Sequence, residues 1–519
     1  MDVEEAAPKE LEIKLELAPS GLPRLAHIPF IRATKPKSKH TSEISVYFDT
    51  GKHKLRRHGL ILRVRRIGNR YIQTIKATNG HLFARDEWES EIAGATPDLR
   101  CARGTALEPL ITKKFRKKLK PVFETRVERT VYPLGRNANS IELAVDRGKI
   151  DAGPHSAPLC ELELELKRGE EADLYEVARK LAHELPATLA LKSKSERGYE
   201  LADGRDAAPV KTVTIDLVRG QSARDGFRVI GRACLKQFVD NAPAVIKGDA
   251  EGVHQMRVGL RRLRAAIALF SDIVDAPQTR AIKRELKWLT NELSPAREMQ
   301  VLIERVVAPL RGSGHHPHHA GIRSFSSDLV ARREAAQERA QHAVDSVRFR
   351  ALTLDVAAWL ETGDWLDPHD NGTRALGDMP IEAFAGSELQ RRYRKVKKRG
   401  RKLAELSARK RHKLRIRAKK LRYAAEFFTS LYDGKHTSRR HKAFVAALKD
   451  LQDGLGDLND ITIDASIMAR AGVRPKRASR KRAFAAGLLT GHEDTQIEAA
   501  LAAAVEGYKT FAAAKPFWH

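Results

Sequence analysis

The sequence predicts an α+β multidomain chain with a β-rich N-terminal part and an all-helical C-terminal part. Three observations predict it. Charged and apolar residues alternate in Glu10-Leu-Glu12-Ile-Lys14 and again in Glu161-Leu-Glu163-Leu-Glu165-Leu-Lys167, a period of two that sends alternate side chains to opposite faces of a strand. Such alternation stops near residue 202, and from about residue 216 apolar residues recur at three- and four-residue spacing in long Ala/Leu/Arg stretches, the pattern of helices. The helical part also contains an internal repeat, the sign of duplicated structural units.

In the first strand, Glu10, Glu12 and Lys14 share one face, with Leu11 and Ile13 behind. Glu161, Glu163 and Glu165 share a face in the last one, backed by Leu162, Leu164 and Leu166. A row of carboxylates is costly to bury unless cations or metal compensate it, and clustered hard oxygens suit Mg²⁺ or Mn²⁺. Alternation alone fits two solvated faces equally well. The stretches between them supply cations: Arg63 and Arg65 in Leu62-Arg-Val-Arg65, Lys76, Arg85-Asp-Glu87-Trp-Glu89-Ser-Glu91, Arg126 and Arg129, then Asp146. A closed barrel brings such faces together around a polar interior. Arg grips phosphate oxygens bidentately and Lys acts as a point charge. Cations around a polyanion, with metal on carboxylates, are what phosphoryl transfer to water requires.

Glu10-x-Glu12-x-Lys14, Tyr47-Phe48-Asp49-Thr50, Gly59-Leu60-x-Leu62-Arg63-x-Arg65, Lys76, Arg85-x-Glu87-x-Glu89, Asp146, Glu161/Glu163/Glu165 and Lys192-Ser-Lys194-Ser-x-Arg197-Gly198 follow the order of the CYTH family, or triphosphate tunnel metalloenzymes. The chain resembles that family over roughly residues 8–202. The resemblance implies an antiparallel eight-stranded tunnel that hydrolyses triphosphate-bearing substrates with Mg²⁺ or Mn²⁺. It implies metal on Glu10, Glu12, Glu161 and Glu163, and phosphate on Arg63, Arg65, Lys76, Arg126 and Lys194. Lys14, Asp146, Glu87 and Glu89 would complete the catalytic wall. Water could be oriented by Lys14 or by a carboxylate.

The 519 residues suit two or three domains, expected at 1–205 and 214–519 with a linker at 206–213, where Asp203-Gly-Arg-Asp-Ala-Ala-Pro209 breaks the pattern. The net charge is +29. Residues 1–205 hold 38 Lys+Arg and 30 Asp+Glu, so most of the excess sits in the helical part and attracts a polyanion. Cys101, Cys160 and Cys234 form no metal or redox spacing, and Cys160 reads as a core filler. With no apolar N-terminal region and no long apolar run, a cytoplasmic protein is expected, without membrane partners, with polyphosphate granules as the place it would gather.

His254-Gln-Met-Arg257-Val-Gly-Leu-Arg261-Arg262-Leu-Arg264 recurs as His412-Lys-Leu-Arg415-Ile-Arg-Ala-Lys419-Lys420-Leu-Arg422, at an offset of 158 residues. Leu293–Glu298 recurs as Leu455–Asp460. The repeat units span about 214–310 and 375–470 and imply two similar helical bundles. Positions 254, 257, 261 and 264 lie on one helix face, as do 412, 415, 419 and 422. Like charges so placed repel unless an anion sits against them. Val258, Leu263, Ile416 and Leu421 are expected to pack the core. Gly312–His319 is His-rich, and a metal there is the less expected reading. The Ala-rich residues 483–514 read as helical.

Over roughly 214–510 the chain resembles the CHAD domain, which often follows a CYTH domain and is associated with inorganic polyphosphate. The resemblance implies polyphosphate contacts at Arg257, Arg261, Arg262, Arg264, Arg415, Lys419, Lys420 and Arg422, with His254 and His412 either binding phosphate or packing helices. The resulting expectation is an inorganic triphosphatase joined to a polyphosphate-binding domain. The alternatives are a nucleoside or thiamine triphosphatase, a cyclase, or a non-catalytic polyphosphate-binding protein. Nucleic acid is a weaker expectation, because no zinc finger, RNA-binding strand signature or aromatic stacking pattern is present.

Overall fold

Eight antiparallel strands close on themselves in the N-terminal part of the computed structural model, which describes residues 9–78, 80–135, 140–204, 208–304, 319–472 and 480–518. The strands are β1 (Lys9–Glu16), β2 (Ser38–Thr50), β3 (Leu60–Ile67), β4 (Arg70–Thr78), β5 (Ala84–Ile92), β6 (Leu119–Leu134), β7 (Ser140–Ala152) and β8 (His155–Arg168). Their order is β5-β4-β3-β2-β6-β7-β8-β1, and β5 returns to β1 through Lys9↔Asp86, Glu10↔Arg85 and Leu11↔Ala84 to close the barrel. The two-residue β9 (Thr188–Leu189) pairs with the far end of β1.

The alternation read in the sequence decides which way each strand faces. Ile13, Leu15, Leu162 and Leu164 are fully buried outside the barrel wall, beneath α1 (Glu171–Glu184), whose Leu174, Ala178 and Leu181 form its buried stripe. The charged partners on the same strands turn inward. Helix α2 (Lys194–Ala202) starts with a capping box: Ser193 Oγ accepts from Glu196 N–H, and the Glu196 carboxylate accepts from Ser193 N–H at 2.8 Å. Tyr199 of α2 packs with Tyr47, Phe123, Val127, Ile150 and Leu159 in an apolar cluster. At Gly198 any side chain would meet the Phe123 ring at 2.2 Å, so only glycine lets α2 come this close.

The chain divides into two compact units. The first holds the barrel together with 242–244 and 344–362, and therefore includes a helix distant in sequence, α7 (Val347–Thr362). Its Arg350 Nε–H donates to the Ala182 carbonyl at 2.9 Å, and Arg179 on α1 pairs with Asp355 at 2.6 Å. The second unit is helical: α3 (Ala223–Val239), α4 (Ala250–Leu269), α5 (Pro277–Leu302), α6 (His319–Val344), α8 (Ile381–Gly400), α9 (Ala408–Phe427), α10 (Lys435–Gly472) and α11 (Arg480–Ala513). The starts of α3, α4 and α5 recur in α8, α9 and α10 at the offset of 158 residues found in the sequence. The equivalent residues Phe270 and Phe428, which end α4 and α9, pack with ring centroids 6.2 Å apart.

Among the described residues no helix is long and apolar enough to cross a membrane. Cys160 is buried, as expected of a core filler. Ile416 departs from expectation: it is 41% exposed, while Leu263 and Leu421 are buried. The His-rich stretch at 312–318 lies outside the described residues.

Candidate active site and basic helices

Register assembles the site. Lys14 sits opposite Glu163 and Glu12 opposite Glu165; Asp146 faces Glu161; Lys76 faces Glu87 and Thr74 faces Glu89. The result is a cavity of about 250 Å³. Ten of the residues singled out in the sequence line it: Glu10, Glu12 and Lys14 on β1; Arg63, Arg65 and Lys76 on β3 and β4; Glu87 and Glu89 on β5; Glu163 on β8; and Lys194 at the start of α2.

Asp146 and Glu161 lie behind that wall, both fully buried. The capping box fixes the first turn of α2, and Lys194 Nζ then reaches Asp146 at 2.6 Å, Glu161 at 2.5 Å and Glu163 at 2.7 Å. Arg129 adds 2.6 Å contacts to Asp146 and Glu163. Lys14 pairs with Glu12 and, at 2.7 Å, with Glu163. Across the cavity Lys76 pairs with Glu10 and Glu87, and Arg65 with Glu43 and Glu89.

Arg126 is not brought to this site. It points outward, 53% exposed, and pairs with Glu124 and Asp151. Three residues along a strand reverse the face, so Arg129 occupies the interior instead. Arg129 stood in the sequence beside Arg126, and its register opposite Asp146 is what distinguishes the two. Arg85, Tyr47 and Glu165, quoted in the sequence as parts of their motifs, also line the cavity, as does Glu142, which was not singled out; Glu43, beside Arg65, was not singled out either.

The electrostatics separate the carboxylates. Burial pushes Glu87 up to about 7, reinforced by neighbouring Glu10. Burial pushes Glu10 the same way, but Lys76 overrides it, helped by a hydrogen bond from Glu87, and holds Glu10 down to about 2. The two carboxyls thus titrate as an interacting pair, with Glu10 pulled down and Glu87 pushed up. Burial opposes the charge on Lys14, yet Glu12 and Glu163 raise its pKa above the usual lysine range. Lys14 is accordingly a fixed cation rather than a ready base.

The oxygens of Asp146, Glu161 and Glu163 lie within 4.8 Å of one another. These three form an all-oxygen donor set, the kind Mg²⁺ and Mn²⁺ prefer, while Glu10 pairs with Lys76 and Glu12 with Lys14. Neither Glu161 oxygen makes a well-aligned hydrogen bond, although Lys194 lies within ion-pair distance. The donor chemistry therefore fits a divalent cation.

In the helical unit the repeated motifs lie on α4 and α9. His254, Arg257 and Arg261 are half-buried and Arg264 is exposed; His412 and Lys420 are exposed, with Arg415, Lys419 and Arg422 half-buried. Arg262 does not reach the surface: it is 3% exposed, donates to Gln237 Oε1 at 2.8 Å and lies over the Phe427 ring. One residue past Arg261 is a rotation of about 100° around the helix, enough to turn it into the core. The cations that do face out crowd one another. Burial and then Arg261 lower Arg257 to about 10, and burial with Arg392, Arg417 and Lys395 lowers Lys420.

A closed antiparallel tunnel lined by opposed carboxylates and cations, followed by a duplicated helical unit, defines a two-domain protein. The CYTH family model matches residues 8–199 and the CHAD family model residues 229–469. The chain belongs to the proteins that join a CYTH domain to a CHAD domain. Over 202 residues it is 31% identical to the inorganic triphosphatase of Haemophilus influenzae, covering 37% of this chain and 55% of that protein. The chain thus matches only about half the length of that relative. The CHAD domain of the plant Ricinus communis is similar at 27% identity and a TM-score of 0.49, over 58% of this chain and 96% of that domain. A Hippeastrum protein described as having a dominant triphosphatase activity is similar at 17% identity and a TM-score of 0.29, over 38% of this chain and 97% of its own.

Proposed function

We propose that the tunnel hydrolyses a terminal phosphoanhydride bond, with inorganic triphosphate as substrate, and that the helical unit binds inorganic polyphosphate. The observation that carries the reading is the convergence of Arg63, Arg65, Lys76 and Arg129 on one carboxylate-walled cavity of about 250 Å³. A triphosphate carries several negative charges in a row, and cations on β3, β4 and β6 neutralise charge that builds up during phosphoryl transfer. Tyr47 is the one aromatic residue lining the cavity among the described residues. That favours an inorganic chain over a nucleoside or thiamine triphosphate, whose base would want a stacking surface.

Glu10, Glu12, Glu161 and Glu163 are the residues that would hold Mg²⁺ or Mn²⁺, which when bound supplies Lewis-acid polarisation of a phosphoryl oxygen. Lys14 and Lys194 hold the carboxylates of β1 and β8 in position. Arg63 and Arg65 on β3 and Arg129 on β6, the two strands that flank β2, bind phosphate oxygens, with Glu43 between Arg65 and Arg129. Glu87, which burial pushes up to about 7, can donate a hydrogen bond to a phosphate oxygen in its protonated form, while Glu89 is available to orient water.

The repulsion among cations on α4, α8 and α9 supports polyanion binding by the helical unit, since an extended anion relieves it. Soluble cytoplasmic protein, associated with polyphosphate, is the location this reading fits.

The test is phosphate release from inorganic triphosphate, ATP and long-chain polyphosphate with Mg²⁺, Mn²⁺ or EDTA, beside a Glu10→Gln/Glu12→Gln variant. Metal-dependent release, fastest from triphosphate and lost in the variant, is expected. No release from any substrate with polyphosphate binding intact would leave a binding protein instead.

A further inference from the structure

A second concentration of positive charge lies on the outside of the barrel, away from the tunnel. The end of β2 and the turn after it carry Lys52, Lys54 and Arg57. The short helical turn Lys113–Lys118 and the start of β6 carry Lys114, Lys117, Lys118 and Lys120. Together they surround an open pocket of about 580 Å³ whose lining contains no carboxylate. Among the described residues, none of these seven cations has a carboxylate oxygen within 4.0 Å.

The fold builds this arrangement. Pairing of Thr50 with Leu119 and of Asp49 with Lys120 holds the two segments side by side. Asp49 is fully buried; its carboxylate accepts from the backbone N–H groups of Thr50, Leu55 and Arg56 at 2.6 to 3.1 Å and from the Tyr199 hydroxyl at 2.9 Å. That fixes the turn bearing Lys52, Lys54 and Arg57 and leaves Asp49 nothing to offer the lysines. Buried Phe115 anchors the other side, with Lys54 Nζ 5.7 Å from its ring centroid.

Local acids serve cations that face elsewhere. Asp203 takes Arg56 at 2.8 Å and lies 3.5 Å from His53, and Asp98 takes Arg100 at 2.7 Å. Neighbouring cations are thus neutralised, while those around the pocket are not. Seven like charges about one concavity repel, and an ordered scaffold holds them together.

We infer that this pocket is a docking site for a condensed phosphate chain, separate from both the tunnel and the helical unit. Six of the seven cations are lysines, point charges without a preferred plane, which suits a chain of repeating equivalent anions more than planar, bidentate readout. Phe115 is buried, so the pocket offers no ring on which a base could stack, and single-stranded nucleic acid is disfavoured. The site rests on its own geometry and stands whether or not the tunnel turns over triphosphate.

The experiment uses the full chain with the helical surface disabled by Arg264→Glu and Lys420→Glu, and adds Lys114→Glu, Lys117→Glu and Lys118→Glu. All three lysines are exposed, so matched circular dichroism and melting temperature are expected. Binding of inorganic polyphosphate of defined length is measured by calorimetry across a salt series, with a single-stranded oligonucleotide of equal charge in parallel. The expected result is residual polyphosphate binding in the double variant that the triple addition weakens at least tenfold. The slope of log affinity on log salt should fall by about 2, for three lost phosphate contacts. Triphosphate hydrolysis should be unchanged by the triple addition, which separates failure of this site from failure of the tunnel reading. Unchanged affinity and slope would overturn the inference, and so would tighter binding of the oligonucleotide than of polyphosphate.

Discussion

Lys194 Nζ lies 2.6 Å from Asp146 and within 2.7 Å of both Glu161 and Glu163, so one ammonium bridges three buried carboxylates, two of which it shares with Arg129. Removing one member of a buried ion cluster leaves uncompensated charge and costs about 3–5 kcal/mol. Lys194→Met is expected to lower the melting temperature clearly, and added Mg²⁺ or Mn²⁺ to restore more of it than in the wild type. Thermal melts with and without metal check this; a variant that melts like wild type would contradict the assigned role.

Arg129 and Arg126 form a matched pair three residues apart with opposite orientations. Arg129→Ala should lower triphosphate turnover by about 10²–10³, as losing one positioned charge at a reacting phosphoryl group does. Arg126→Ala should stay within about twofold of wild type. Steady-state kinetics of both variants decide it.

Glu87 gives a pH signature. Its pKa is raised from the ordinary carboxylate value to about 7, so the folded chain binds a proton there that the unfolded chain has released. Stability from this group is fully present below about pH 4.5 and lost as pH rises to about 7. Glu87→Gln should therefore flatten the loss of stability between pH 5 and pH 8, read by urea unfolding. A wild-type slope in the variant would place the proton elsewhere.

Glu361 of α7, whose carboxylate is fully buried, lies 3.0 Å from His81 Nε2. His81 Nδ1 accepts from the backbone N–H groups of Phe83 and Ala84, so its proton sits on Nε2, facing Glu361. Ala84 and Arg85 pair with Leu11 and Glu10 at the seam that closes the barrel. Glu361→Ala is expected to cost about 0.5–1.5 kcal/mol, the net worth of one hydrogen bond, because Glu171 at 3.7 Å still faces His81 Nε2. It should also accelerate amide exchange at Phe83 and Ala84, measured by hydrogen exchange. Unchanged protection there would separate α7 from the seam.

Much of this was legible in the sequence, and the exceptions have physical reasons. Glu10, Glu12, Glu163, Arg63 and Lys76 were readable because a period of two assigns a strand face without any tertiary information. Arg126 was misplaced because two arginines of opposite parity stand in one strand, and only the register with β7 shows which faces in. Arg262 sits within a run of cations, yet a single step around α4 carries it under Phe427. The duplication of α3–α5 was visible because the same spacing recurs, whereas membership of α7 in the barrel unit depends on packing between residues nearly two hundred positions apart. The outer lysine pocket joins two segments that only the pairing of β2 with β6 brings together.

Inclusion of residues 344–362 in the barrel unit sets an order of events during synthesis. Domains generally fold as they emerge, N-terminal first. Here all eight strands have left the ribosome long before Arg350 is available to cap the Ala182 carbonyl or Glu361 to reach His81. The nascent barrel must wait with the outer face of α1 uncovered through about 140 further residues, the stretch in which a chaperone has most to do.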